Sequence, residues 1–309
     1  MTDFNLFKTN NYKTVVFVIS AIFSMNVIAK GGYQTELSLG YEKLDYDSGN
    51  KKNINMYLMG YFSEIEYDHY PYELAPLINR KSSISFSTDY KKHSFDDLDT
   101  LSGGVYSFEA AYSEKSFPLA ITAIFGKGDI SREGDFYDTT VTERERGLLS
   151  QFYFTDFTEV GAFYIQVKHD ASIAELASGV DIYATDATQS YYGAQFQHIA
   201  ELHGGKYLLF QALLGKGSYV LDSGNLSVES DIEIILMSGK FYPEKSIGIG
   251  LTLNRTKVGS DPEQYASVNI SKNWDSSLKT SLELAKFSVQ NEGETEKADQ
   301  IKVSVAFFY

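Results

Sequence analysis

Apolar and polar residues alternate with a period of two along most of the chain after residue 30. In residues 36–42, 247–254 and 266–271, for example, every second position is apolar or aromatic and the positions between are polar or small. This period is that of a β-strand, because successive side chains on a strand point to opposite faces of the sheet. Counting such segments predicts fourteen strands, with twelve or sixteen as the alternatives.

The connections between these segments alternate in length. Short ones, such as 113–117 and 155–158, follow every second segment, whereas longer and acidic ones, such as 127–143 and 170–188, follow the others. The exception on the short side is the first connection, from about Ser63 to Lys81, which is long and contains two prolines. Short turns at one rim and long loops at the other are typical of outer-membrane barrels. The pattern therefore predicts an all-β fold, a transmembrane antiparallel up-and-down β-barrel whose apolar faces contact lipid.

Most segments have a clear pattern, and a few need separate mention. Residues 206–214 are apolar at both parities, so their direction stays open. In the segment after residue 160 we expect Phe163, Ile165 and Val167 to form the apolar face. Near Lys286 the apolar positions change parity, which predicts a β-bulge, an extra residue in one strand of a pair.

A soluble secreted β-sandwich that binds a ligand is the main structural alternative. It would bury the same apolar faces between two stacked sheets, and its loops would show no systematic alternation in length. A plugged outer-membrane barrel that acts as a receptor or adhesin is a further alternative, since its loops would bind while its lumen would not conduct.

The first 29 residues have the layout of a secretory signal peptide. Lys8 and Lys13 precede an uncharged run from Thr14 to Ala29, and Val27-Ile28-Ala29 places small or modest side chains at the cleavage site. The alternative is a transmembrane anchor, but the run is shorter than the roughly 20 residues that span a bilayer. We therefore expect residues 1–29 to be cleaved and residues 30–309 to form the barrel.

Composition excludes several kinds of chemistry. The chain of 309 residues has no cysteine, which excludes a disulfide framework, a thiolate metal site and a thiol nucleophile. Its formal net charge of −14 argues against nucleic acid as a partner, because nucleic-acid binding requires a basic surface. No cofactor is expected.

If the apolar faces contact lipid, the polar faces line the interior. On that parity eight acidic residues face three basic ones, and these pore-lining candidates are Glu36, Glu42, Asp89, Glu109, Glu229, Asp231, Glu233 and Glu283, with Lys168, Lys279 and Lys302. Because carboxylate rings attract cations and repel anions, the hypothesis is a weakly cation-selective pore for small hydrophilic solutes. The alternative is that these charges only hydrate a polar wall.

The segment Gly126–Gly147 contains the longest strongly charged loop. Folded into the lumen, it would form a constriction, and folded outward, it would be a solvated external loop; the constriction candidates are Asp129, Arg132, Glu133 and Asp135. The spacing of its acidic residues is not that of a calcium loop, and the five histidines of the chain show no metal-binding spacing, so no metal site is expected.

Two arginines follow this loop on the parity of Leu148. Arg144 and Arg146 would point outward, toward lipopolysaccharide phosphates, which guanidinium groups bind well. The alternative is that both pair with Glu143 and Glu145 along a charge-alternating strand tip.

The dipeptide His169-Asp170 is similar to the partner pairs of membrane-barrel proteases and lipases. A general base requires a nucleophile or a water within hydrogen-bond reach, and nothing in the sequence places one there. We therefore expect no enzymatic activity.

The segment Ala298–Tyr309 has its apolar positions on one face, with Phe308 as the exception, and ends on an aromatic residue. This ending resembles the C-terminal signal of outer-membrane barrels, which the barrel-assembly machinery of Gram-negative bacteria recognises. The last strand is expected to close the sheet against the first.

The stretch Tyr61–Tyr90 resembles the general porins of Gram-negative bacteria. An aromatic strand end is followed by Pro71, an acidic residue, small and apolar residues, Arg80 and then a Ser-rich strand. Pro76 departs from the pattern, which has a small residue there. The resemblance implies a passive channel in the outer membrane of a Gram-negative cell, surrounded by lipid and lipopolysaccharide. Whether the barrel forms a homo-oligomer stays open.

Overall fold

The computed structural model shows a closed barrel of fourteen antiparallel strands. It describes residues 32–46, 49–66, 70–95, 98–133, 137–175, 181–223, 226–274, 277–291 and 294–309. The predicted signal peptide and its cleavage site lie outside these residues, so that expectation stays a prediction.

The strands and the single described helix have the following bounds: β1 (Gly32–Tyr46), β2 (Gly49–Glu66), α1 (Ala75–Asn79), β3 (Ser83–Phe95), β4 (Leu98–Tyr112), β5 (Leu119–Glu133), β6 (Tyr137–Thr155), β7 (Thr158–Glu175), β8 (Asp181–Leu202), β9 (Lys206–Ser223), β10 (Leu226–Glu244), β11 (Ile247–Val258), β12 (Asp261–Asn273), β13 (Leu278–Asn291) and β14 (Glu294–Phe308). Each strand pairs with its neighbours in sequence, and β1 pairs with β14 to close the sheet. The predicted fold class and strand number are confirmed. Among the described residues, no helix is long and apolar enough to cross a membrane.

Large apolar side chains are exposed on the outside of the barrel, which is the reverse of a soluble protein. Leu251, Val268 and Leu284 lie opposite one another on β11, β12 and β13, and each is about half exposed. A β-sandwich would bury these side chains between two sheets, so the single closed sheet excludes that alternative. A continuous outer band of this kind matches the hydrocarbon core of a bilayer.

The strands extend well beyond the length that a bilayer requires. A tilted strand crosses the hydrocarbon core in roughly 9–11 residues, whereas β8 has 22 and β6 has 19. The long loops expected at 127–143 and 170–188 are therefore wrong, since most of both segments is strand. Backbone pairing continues above the apolar band, where neither face has to be apolar, so the alternation ends before the strand does.

The β-bulge predicted near Lys286 is also wrong. β13 pairs with β12 and β14 without a register shift through this region. The parity change arises because Phe287 faces the interior, where its ring lies 5.0 Å from that of Tyr265, centroid to centroid. Lys286 points outward, and its Nζ lies 3.7 Å from Oδ1 of Asp299.

The most deeply buried apolar residues lie around α1, at one end of the barrel. We call this end the insert rim and the opposite end the hairpin rim. Leu74 and Ile78 pack against Ile199 and Tyr207, on β8 and β9. Ala75 packs in a second cluster with residues of β2 and β14. The main apolar core of the molecule is thus at the mouth of the barrel.

Candidate functional site in the barrel interior

One part of the interior carries most of the inward-facing charge. We call it the charged wall, and we define it by eleven inward side chains on β1–β6, β13 and β14: Glu36, Glu42, Lys51, Asp89, Lys91, Glu109, Glu143, Glu145, Lys279, Glu283 and Lys302. Seven carboxylates therefore lie among four ammonium groups. Arg132 on β5 and Glu296 on β14 share the inward parity nearer the hairpin rim. This wall is a surface that water and cations can occupy.

Contacts between neighbouring strands hold parts of the charged wall in place. Lys302 lies in register with Glu42 on one side and with Glu283 on the other. The Asn53 amide donates a hydrogen bond to Glu42 at 3.4 Å, and the Tyr265 hydroxyl donates one to Glu283. The acidic groups are thus fixed on strands rather than on loops.

A second part of the interior is apolar. We call it the apolar panel, and it consists of the inward side chains of β7, β9 and β10, namely Phe163, Ile165, Val167, Leu213, Ile232, Ile234 and Leu236. Ile232 and Phe163 are 1% and 9% exposed, and the other five side chains of the panel are partly buried. The interior therefore has one charged and one apolar side.

The expectation that Phe163, Ile165 and Val167 form the lipid face is wrong, and two glycines explain why. Phe163 lies in register with Gly193, which lies in register with Gly215. A Cβ atom at Gly193 would meet the Phe163 ring at 2.8 Å, and one at Gly215 would meet it at 3.0 Å. The ring occupies the space that these glycines leave inside the barrel, and Val160 and Tyr164 face outward instead.

Seven of the pore-lining candidates lie on the inward face, as the alternation indicated: Glu36, Glu42, Asp89, Glu109, Lys279, Glu283 and Lys302. Their role in a pore stays a prediction. The inward position expected for the other four, Lys168, Glu229, Asp231 and Glu233, is wrong. Lys168 is exposed and shares the outward parity of Val160 and Tyr164.

The three acidic residues of β10 share their parity with Ile235 and Met237, which are 41% and 47% exposed on the outer face. Glu233 lies in register with Lys216 and Lys257 of the neighbouring strands, so its outer surroundings are basic. The inward parity belongs to Ile232 and the other residues of the apolar panel. The alternation was real, but apolar residues occupy both faces of this strand, with Ile234 and Leu236 inside and Ile235 and Met237 outside.

The constriction that was one of two alternatives for the segment between β5 and β6 is not supported. The two strands pair residue by residue out to Glu133 and Asp138, so the segment extends the wall. Asp129 points outward and accepts a hydrogen bond from Thr142 at 2.7 Å. Arg132 stands on the inward parity of β5, whereas Glu133 has no described side chain and Asp135 lies outside the described residues.

Arg144 and Arg146 point outward, as expected. Arg144 Nη2 lies 3.4 Å from a carboxylate oxygen of Asp170, and Arg146 Nε donates to Gln166 at 2.9 Å. Their partners are therefore on β7, and the alternative of pairing with Glu143 and Glu145 is wrong because those carboxylates face inward.

The dipeptide His169-Asp170 is divided between the two faces of β7. His169 faces inward, where Nδ1 lies 3.8 Å from Glu143, while Asp170 pairs with Arg144 outside. The two side chains therefore do not form a joint acid–base pair. Among the described residues, no group of three or more His, Asp or Glu side chains is placed to bind a metal ion.

The long connection between β2 and β3 enters the barrel mouth. We call residues 70–82 the insert. Its helix has a proline, Pro76, in the first turn, a position that suits proline because no helical hydrogen bond is lost there. The helix ends at Arg80, a residue with a positive φ of 49°. The proline that departs from the porin pattern therefore starts this helix.

Glu73 connects the insert to two lysines of the barrel wall. Its carboxylate oxygens lie 2.5 Å from Lys240 Nζ and 3.0 Å from Lys279 Nζ, and the Tyr242 hydroxyl donates a hydrogen bond to it at 3.1 Å. Burial alone would raise the pKa of Glu73, but the ammonium groups of Lys279 and Lys240 outweigh it and lower that pKa to about 2. Glu73 is therefore charged throughout the neutral range.

Arg80 anchors the other end of the insert. Its guanidinium donates to the Thr155 carbonyl at 2.5 Å and lies 3.2 Å from Asp156. The same group stacks over the Tyr153 ring at 3.9 Å, an arrangement that suits the planar guanidinium. Its side chain is only 4% exposed, so the insert is attached to β6 as well as to β10 and β13.

Sequence reasoning missed the roles of Glu73, Lys240 and Arg80. Lys240 lies in a segment where the inward parity changes from apolar to polar, so alternation alone could not assign it. The sequence feature that could have indicated these roles is the connection between β2 and β3. It is longer than the other connections at that rim and contains apolar and aromatic side chains.

No protein-family model matches the chain, and no curated protein matches it by sequence. Solved structures do match its fold. The outer membrane protein Omp33 of Acinetobacter baumannii aligns with a TM-score of 0.53 at 12% identity, over 91% of this chain and 100% of that one. The CymD monoaromatic hydrocarbon channel gives 0.57 at 9% identity, over 90% and 89%. A FadL homologue of Pseudomonas aeruginosa gives 0.54 at 9% identity, over 90% of both chains. The chain thus has the fold of an outer-membrane β-barrel.

Proposed function

We propose that this protein is a channel in the outer membrane of a Gram-negative cell, passing small hydrophilic solutes by diffusion. The observation that carries the proposal is the inversion of the fold, with apolar side chains outside and a charged wall inside. The apolar band suits lipid, and the charged wall suits water. In this arrangement the insert rim faces the periplasm, since short turns lie on that side. The similarity to channel structures supports the fold on which the proposal rests.

Cation preference is the second part of this proposal. The carboxylates of the charged wall outnumber its ammonium groups, and Glu143 and Glu145 add to those predicted from the sequence. Fixed negative charges along a narrow aqueous path raise the local concentration of cations. We therefore expect potassium to pass more readily than chloride.

Reversal potentials in planar bilayers under a KCl gradient test both parts. The wild-type protein is expected to give steady currents with a cation-selective potential, and Glu109→Gln with Glu145→Gln is expected to reduce that preference. The matched control is Glu229→Gln with Glu233→Gln, which removes the same charge from the outer face. An anion-selective wild type, or equal effects of both pairs, would contradict the proposed selectivity.

A plugged barrel that acts as a receptor is the second candidate, because the insert occupies the mouth and contacts strands on several sides. In that case the same bilayers would show no steady current. The two candidates are therefore separated by a single conductance measurement.

Several further features belong to this proposal. We assign the chain to the general porins on the resemblance of Tyr61–Tyr90, and expect export through cleavage after residue 29. Recognition of the last strand by the barrel-assembly machinery and contact with lipopolysaccharide follow from the outer-membrane location. We expect no enzymatic activity, and gel filtration in detergent would determine whether the barrel oligomerises.

A further inference from the structure

A groove crosses the outer face of the barrel from β10 to β1. Its volume is about 890 Å³. Two rows of outward side chains form its sides, and each row follows the register across paired strands. One row runs through Ile235, Arg255 and Ser288, and the other runs through Met237, Leu253 and Lys286.

The groove exists because small side chains interrupt the rows of long ones. Ala266 lies in register between Leu253 and Lys286, and Ser288 lies in register between Gln264 and Lys297. The backbone between the two rows is exposed there as the floor. If this face lies in a membrane, lipid is the molecule that would be in contact with the groove.

The two ends of the groove differ in depth and in chemistry. Ile235 and Met237 lie nine or more residues into β10, at the level of the apolar band. Asp45 is the last residue but one of β1, and Lys297 is the fourth residue of β14, so both lie close to the hairpin rim. The groove therefore has a charged end at β1 and β14 and an apolar end at β10, and Arg255 lies in register beside Ile235 at the β10 end.

Some charged side chains of the groove have an ion-pair partner, whereas others have none. Asp45 lies 2.6 Å from Lys43, and Asp299 lies 3.7 Å from Lys286. In the part of the chain that the structure describes, no carboxylate lies within 4.0 Å of a side-chain nitrogen of Arg255 or Lys297. This differs from Arg144, which has Asp170 as a partner. Two cationic groups along the groove are thus available for an anion.

We propose that this groove binds a phosphorylated lipid of the outer leaflet. Phosphate groups of this lipid would contact the guanidinium of Arg255 and the ammonium of Lys297, which lie three strands apart in one row, through charge-assisted hydrogen bonds. An acyl chain would follow the floor past Ala266 toward Leu253 and Met237. The site depends on the barrel lying in a membrane, as in the proposed function, but it does not depend on conduction.

Lipid binding by the purified barrel in detergent tests the site, with bis-phosphorylated hexa-acyl lipid A as the probe and native mass spectrometry as the readout. Arg255→Gln with Lys297→Gln is expected to weaken binding at least tenfold. The control, Lys127→Gln with Lys216→Gln, removes two exposed outward charges from β5 and β9 and is expected to bind as the wild type does. Equal binding by both double variants would overturn the proposal.

Two further arms separate headgroup from acyl chain. Ala266→Trp places a large side chain on the groove floor at an exposed position, where folding should be unaffected, and is expected to displace the lipid. A dephosphorylated form of the same lipid is expected to bind the wild type weakly. Full binding by Ala266→Trp, or equal affinity for the dephosphorylated lipid, would show general adsorption and reject the site. Bilayer conductance of the same variants is expected to be unchanged, so a failure here is distinct from a failure of the channel proposal.

Discussion

The two rims of the barrel differ in what lies in the opening. At the insert rim, α1 and its flanking residues bring buried apolar side chains and a charged carboxylate into the opening. At the hairpin rim, described strand tips such as β5 and β6 remain paired within the wall. A side chain in the wall can shape the path of a solute, whereas a segment in the mouth can obstruct it. The main resistance to flow is therefore expected at the insert rim.

Removing the insert is the change with the largest expected effect. Replacing residues 70–81 by a short Gly-Ser turn removes α1 and the side chains that fill the mouth. Single-channel conductance in planar bilayers is expected to increase several-fold, because the obstruction lies in series with the rest of the path.

The variant must first be shown to fold. Heat-modifiable migration in gels reports a closed barrel, and a shorter connection at Asp156–Phe157 shows that this rim accepts tight turns. If the folded variant has the conductance of the wild type, the main resistance lies in another part of the interior.

Neutralising Glu73 is expected to have the next largest effect. Glu73→Gln leaves Lys240 and Lys279 close together and without their shared carboxylate. Removing one partner of a buried ion pair costs about 3 kcal/mol, which is roughly a hundredfold in the population of undocked inserts. Hydrogen exchange of the Ile78 and Arg80 amides, which bond to Leu74 and Pro76 carbonyls, would measure this population.

Glu114→Gln is the matched control, since it neutralises an exposed carboxylate in a turn at the same rim. It is expected to leave the exchange of the insert unchanged. Equal exchange rates in Glu73→Gln and the wild type would mean that apolar packing alone holds the insert.

The orientation of some strands could be predicted from the sequence, whereas that of others could not. The outward parity of β1, β11 and β14 was predictable because most of their large apolar residues lie on one face, with exceptions such as Leu44 and Phe308. β7 and β10 failed because their inner faces are apolar too, with Phe163 covering Gly193 and Gly215. A single-strand pattern does not reveal which neighbours leave space inside, so only the register could assign these faces.

The insert shows a different limit. Its unusual length and prolines were visible in the sequence, and they indicated that the connection was not a simple turn. The partners of Glu73 lie 167 and 206 positions further along the chain, on β10 and β13. Contacts over such separations follow from strand order and stagger, which alternation does not encode.

The smallest expected effect concerns pH, and it sharpens the assignment of Glu73. Its pKa is about 2 in the folded protein, below the ordinary value of 4.5, so its ion pairs contribute their full stability above pH 4.5. This contribution is lost as the pH falls from 4.5 to 2, because the carboxylate then takes up a proton. Exchange of the insert amides is therefore expected to be independent of pH between 8 and 5, apart from the intrinsic chemical rate, and to rise below pH 4.

The control for this prediction is Glu73→Gln, because Glu36 also interacts with Lys279. In this variant the exchange rate of the insert amides is expected not to rise in acid. An equal rise in that variant would assign the acid response to Glu36 or to the charged wall instead of to the insert.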